Sequence, residues 1–277
     1  MVTTRAALRF RRLSHALIWL SLGLVSACST PPPQWTNENP LALAPPVAES
    51  VAALLKDYRV RSPLIAISGT EAIDHISNFG LVVATFRTSY ALQNNGLWAT
   101  ATTGSMSGVG SAGSAVTSEI SLCGLLSLAG MTQAASEVPV LPTLPGPITA
   151  TENLTWRSRT TALQTASPNI CSPTSGSAFS LRAVIEEYRK GTVLALTRSR
   201  TVELACNVGA EAKPASRLAG WFRGAALAVH CTRTTNAEDR EQLEYAFLID
   251  SGLYVLLAQT GGVQSSKMHF DRADYRD

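Results

Sequence analysis

The sequence predicts an α+β domain: antiparallel sheet with two short packed helices, stapled by disulfides. Three observations predict it. Two segments carry apolar residues at helical spacing, a series of short runs in the C-terminal half reads as consecutive strands, and four cysteines after the N-terminal region form an even set.

Taken in order, residues 47–58 place Val51, Leu54, Leu55 and Tyr58 on one stripe and predict the first helix. Residues 64–67 and 80–86 read as short strands, and 97–102 alternates loosely as another. Residues 114–135 have the composition of a small-residue helix, interrupted by Gly124 and Gly130. Residues 137–149 read as an extended loop, because Pro139, Pro142 and Pro145 recur every three positions. Ser180 then caps a second predicted helix over 181–190, which Gly191 ends. Strands follow over 192–197, 202–206, 225–232, 243–249 and 253–259, the last two joined by Asp250-Ser251-Gly252 as a hairpin loop. VAALLKDYR (51–59) and LRAVIEEYR (181–189) share a pattern, and each precedes a strand-like run. That suggests two similar halves, 47–130 and 178–264, about the proline loop.

The N-terminus has a different logic. Arg5, Arg9, Arg11 and Arg12 precede an apolar run over 16–25, and small Ser26 and Ala27 precede Cys28. The run is too short to span a bilayer and reads as an export signal. Leu24-Val25-Ser26-Ala27-Cys28 resembles the lipobox of bacterial lipoproteins. The resemblance implies cleavage after residue 27, lipidation of Cys28 with fatty acyl chains such as palmitate, and, with Ser29 in place of Asp, the outer membrane. It covers the N-terminus alone. The layout expected is therefore a signal over 1–27, a proline-rich tether over 28–46, an α+β envelope domain over 47–264 and a polar tail over 265–277. Without residues 1–27 the charge is 19 Lys+Arg against 20 Asp+Glu, a balance that points to neither nucleic acid nor anionic lipid as a partner.

Cys123, Cys171, Cys206 and Cys231 suggest two disulfides in an oxidising compartment. Three connectivities are open, and sequence neighbours, 123 with 171 and 206 with 231, are favoured. No C-x-x-C is present, so the reading assigns no metal.

Gly108-Val109-Gly110-Ser111-Ala112-Gly113 spells G-x-G-x-x-G. A dinucleotide loop needs a buried strand directly before it and an acid closing the next strand. Neither is present, so it reads as a glycine-rich bend with no nucleotide and no cofactor. Small residues at Gly104, Gly108, Ala112 and Val116 also permit a helix-packing stripe, which four glycines in ten positions disfavour in water.

No nucleophile motif appears. His75 beside Asp74 near Ser77, His230 beside Cys231, His269 in the polar tail, and Glu186-Glu187 on the predicted helix form no catalytic constellation, so no catalytic residue is assigned. The leading expectation is a lipid-anchored envelope protein with a non-enzymatic role in protein interaction or assembly, partnered by another envelope protein. One alternative is a module binding a small molecule, glycan or lipid. It predicts a closed apolar cavity lined by some of Trp98, Trp156, Trp221 and the tyrosines. The other is a periplasmic hydrolase with a site assembled from distant residues.

Overall fold

Period-two alternation governs this chain far more than helical spacing does. The structure, a computed structural model, describes residues 32–75, 81–108, 111–141, 148–191, 195–261 and 264–276. The signal, Cys28 and the start of the tether lie outside the described residues, as do Ser77, Val109-Gly110, Pro142 and Pro145.

Among the described residues one α-helix is present, α1 (Pro45–Leu54), with Pro45 and Pro46 in its first turn, where a missing N–H costs nothing. Strands follow: β1 (Leu64–His75), β2 (Leu81–Leu92), β3 (Trp98–Gly108), β4 (Ser111–Leu122), β5 (Leu126–Leu141), β6 (Ile148–Thr165), β7 (Ala178–Lys190) and β8 (Ala195–Val208). After a two-residue β9 (Lys213–Pro214) come β10 (Ala225–Thr235), β11 (Asp239–Leu248), β12 (Leu253–Gly261) and β13 (Gln264–Tyr275). Every long strand pairs antiparallel with its neighbour in sequence, and β13 pairs back onto β1, so twelve strands close an up-and-down β-barrel.

This corrects the α+β expectation. Residues 181–190 are β7, and Ser180 is an outward strand residue instead of a cap. Leu181, Val184, Ile185 and Tyr188 fit a helical stripe, but the burial alternates instead: Phe179, Leu181, Ala183 and Ile185 are buried, Ser180 and Arg182 exposed. Residues 114–135 are β4, a turn and β5. Cys123 and Gly124, at φ 45° and 76°, supply the two left-handed residues that such a turn requires. The two segments 51–59 and 181–189 are a helix end and a strand, so the two-halves reading falls. Of residues 265–277, expected as a tail, 265–275 belong to the closing strand, and β5 runs through Pro139 to Leu141 where a loop was expected. The hairpin at Asp250-Ser251-Gly252 is present, with Gly252 at φ 60°.

Following the register around the sheet assigns each residue a face. Val202, Leu204, Cys206 and Val208 of β8 alternate with exposed Glu203, Ala205 and Asn207. Opposite them stand Leu181, Cys231 and Val229, all buried. These inward residues meet Leu243, Phe247 and Tyr254 in an apolar core at the end of the barrel where β1 begins and β13 ends, here called the base. Cys206 and Cys231 are direct cross-strand partners, with Cα atoms 4.0 Å apart. Cys123, in the β4–β5 turn, is joined to Cys171, in the β6–β7 connection, at 5.6 Å.

Residues 33–44 do not hang free. Trp35 Nε1 donates to Glu186 at 3.0 Å, Arg157 donates to the Thr36 carbonyl, and Arg159 holds both the Leu43 carbonyl and Glu38. The segment is strapped to the outer face of β6 and β7. From there α1 continues into the apolar cluster through Val47, Val51 and Leu55.

Each disulfide closes a loop of 48 or 25 positions. The double variant Cys123→Ala/Cys171→Ala is expected to lose about 4 kcal/mol of unfolding free energy by loop-closure entropy, read from urea denaturation.

Candidate functional site

Above the apolar base the interior turns polar. Thr88 and Thr102 bond each other across β2 and β3 at 2.9 Å, and Thr117 and Thr132 do so across β4 and β5 at 3.0 Å. On the opposite wall Glu187, buried, pairs with Arg198 and Arg200, and Arg233 pairs with Glu241, which also accepts from Gln259. Arg189 stacks over Trp156 with its guanidinium 4.7 Å from the ring centroid. These arginines thus face a carboxylate or a ring within the barrel.

Between these zones lies a cavity of about 320 Å³ on the β1–β4 and β12–β13 side. Phe86, Tyr90, Tyr254 and Phe270 supply its aromatic surface, Met268 an adaptable apolar one, and Thr88, Thr100 and Thr102 its hydroxyls. Glu71 and Glu119 bring two carboxylates into it. A larger concavity of about 670 Å³ runs over the outer face of β6–β8 and β10, but its Arg182–Glu203 ion pair is more than half exposed on both sides. It lacks the walls that fix a small molecule.

The aromatic floor is held from below. Trp98, fully buried, donates its indole N–H to the Tyr58 hydroxyl at 2.7 Å, and Tyr58 donates to the Gly252 carbonyl at 2.6 Å. Tyr90 meets the Trp98 ring edge-on at 6.1 Å. Gly252 permits this approach, because a Cβ there would lie 2.7 Å from the Tyr58 ring. Burial raises the Tyr58 phenol to about 12, against the smaller lowering effect of the Trp98 hydrogen bond. Burial first, and the Glu119 charge second, push Tyr90 above the ordinary phenol range. Tyr245 on β11 rises to about 12, again through burial, while Arg233 opposes and Glu119 and Glu241 add to the shift. Glu119 therefore acts on both walls of the barrel.

The wall beside the cavity is incomplete. β12 and β13 pair only from Ala258 with Lys267 to Gly261 with Gln264. Below that, Phe222 of the β9–β10 connection packs on Phe270, which in turn meets Phe86 at 6.1 Å. Trp221 beside it is 56% exposed.

The residues singled out in the sequence disperse. Asp74 and His75 are the last two residues of β1, and Ser77 lies outside the described residues. His230 is exposed on the outer face opposite Glu244, and the His269 side chain is 79% exposed, 3.6 Å from Asp271. Glu186 and Glu187 do not share a solvated helix face: one takes the strap's Trp35 outside, the other is ion-paired inside. Of G-x-G-x-x-G, Gly108 ends β3 and Ser111, Ala112 and Gly113 open β4, while Val109 and Gly110 lie outside the described residues. Among the described residues no three His, Cys, Asp or Glu side chains gather as a metal site. Of the tryptophans, Trp98 supports the cavity floor, Trp156 stands higher in the lumen, and Trp221 lies outside. Tyr90 and Tyr254 are among the tyrosines expected to line a cavity, whereas Phe86, Glu71 and Glu119 escaped the sequence reading, although alternation along each strand carried their signal. Comparison of the chain with family models, curated proteins and solved structures returns no match.

Two outcomes follow. Tyr58→Phe leaves the buried Trp98 N–H without its acceptor and should cost about 1–3 kcal/mol in urea denaturation. Phenols raised from 10 to about 12 bind their protons more tightly in the folded chain. The stability they contribute is fully present below pH 10 and lost as pH rises toward 12, so phenolate absorbance should appear together with loss of the β circular dichroism signal.

Proposed function

We propose that the protein is a lipid-anchored envelope barrel that binds a small molecule in its lumen. The cavity between β1–β4 and β12–β13 carries this reading: aromatic rings and a thioether on one side, convergent hydroxyls and carboxylates on the other. Such a division of surface suits an amphipathic ligand. The anchor is the acylated Cys28 that the lipobox resemblance implies, with the domain in the periplasm at the outer membrane or at the cell surface. Two disulfides agree with an oxidising compartment. The outward positions Arg87, Arg182, Glu203, Glu244 and Lys267 favour a barrel standing in water over one with an apolar belt in lipid.

The strap changes how such an anchor would work. With Trp35 and Thr36 fastened to β6–β7, five residue steps separate Cys28 from Pro33. Fully extended they reach about 17 Å, so the flank of β6–β7 lies close to the membrane, where a free coil of the whole tether would let it tumble.

A role in envelope assembly through a partner protein is the second reading. Exposed Leu218 and Trp221, side by side on the β9–β10 connection, favour it. Native mass spectrometry of the full-length chain from envelopes separates the two. A low-mass adduct that is lost in a lumen-filling Thr102→Phe variant supports the ligand reading. A ligand-free chain that crosslinks to another envelope protein through residues 218–221 overturns it in favour of assembly.

A further inference from the structure

We infer that the lumenal ligand is a small organic cation, an amine joined to an apolar or aromatic body; this rests on the cavity being a binding site. Among the described residues Glu71 and Glu119 are the charged side chains of the cavity wall, and no Lys, Arg or His lines it. Among the described residues neither carboxylate has a hydrogen bond or an ion pair. The lumenal arginines are not spare counter-ions: Arg198 and Arg200 hold Glu187, Arg233 holds Glu241, and Arg189 covers Trp156.

Glu71 and Glu119 are half-buried, where attraction to an opposite charge is screened less than in open solvent. A barrel that pairs Glu187 and Glu241 yet leaves Glu71 and Glu119 open presents an electrostatic site matched by a cation. The rings agree. Phe86, Tyr90 and Phe270 offer π-faces in the same cavity, and an ammonium group over such a face is attracted by its quadrupole. Tyr90, enclosed by the wall and fixed by Trp98, has no hydrogen-bond partner for its hydroxyl among the described residues, so that hydroxyl is available to a ligand.

Three probes of one shape test this against the full-length chain: 2-phenylethylamine, 2-phenylethanol and 3-phenylpropionate, titrated by calorimetry and by tryptophan fluorescence, to which Trp98 contributes. The amine is expected to bind at least about tenfold more tightly than the other two, the scale of a charge-assisted hydrogen bond. Glu119→Gln should remove that advantage and leave the alcohol within about twofold. Glu71→Gln is measured alongside, and the thermal melt of each variant establishes that it is folded. Equal or tighter binding of the alcohol or the propionate overturns the cation inference and leaves the cavity reading standing. Amine binding that survives both Glu→Gln changes also overturns it. Failure of all three probes overturns the inference, and if no low-mass adduct is found on the native chain, the cavity reading falls as well.

Discussion

The pairing of β13 with β1 is the contact on which everything else in the molecule depends. It runs from Leu64 with Tyr275 to His75 with Gln264, and it turns an open sheet with two unsatisfied edges into a closed wall. The closure is not regular. The register slips between Ser68 and Gly69, where the chains approach so closely that a Cβ on Gly69 would land on the His269 carbonyl oxygen. Glycine is the residue that this crossing admits. Without closure the inward residues of β1–β4 would face water, and the cavity would be a strip on a sheet surface.

A closed wall creates an inside, and the side chains divide it into two layers. At the base, Leu181, Val229, Leu243, Phe247 and Tyr254 pack as a core held by the two disulfides. Farther from the base the inward positions become Thr, Glu and Arg, whose polar groups are satisfied by one another or by whatever occupies the lumen. The stable half anchors the strands, and the polar half lines the cavity proposed to bind a ligand. The Tyr58–Trp98–Tyr90 contacts form the boundary. The site is therefore a consequence of how the core stops, which links packing to the proposed function directly.

What could be read in the sequence follows from the range of each signal. An even cysteine set after an export-like N-terminus points to disulfides without any tertiary knowledge. The strand pairs around Asp250-Ser251-Gly252 are local, and the hairpin is there. The helix over 47–58 survives as α1 because prolines at its start and valines at spacing four act within one element. The segment 181–190 failed for the opposite reason. Its apolar residues satisfy both helical and strand periods, and the choice is made by β6 and β8 on either side, whose own alternation matches it, with one register shift in β6 between Thr160 and Ala162. Residues 114–135 failed because small residues such as Gly130 suit close contact inside a barrel as well as between helices; there Ser158 and Glu119 crowd its missing side chain. The site shared that fate. Glu71 and Glu119 stand 48 positions apart and meet only when four strands curve into one wall.

Amide hydrogen exchange along Gly69–Ile73 and Met268–Phe270 addresses ring closure most directly. Slow exchange in both segments, comparable with the central strands β7 and β8, is the result predicted for a sheet without edges. Rapid exchange of alternate amides in either segment, as an unpaired edge strand shows, would contradict the barrel and every conclusion built on its lumen.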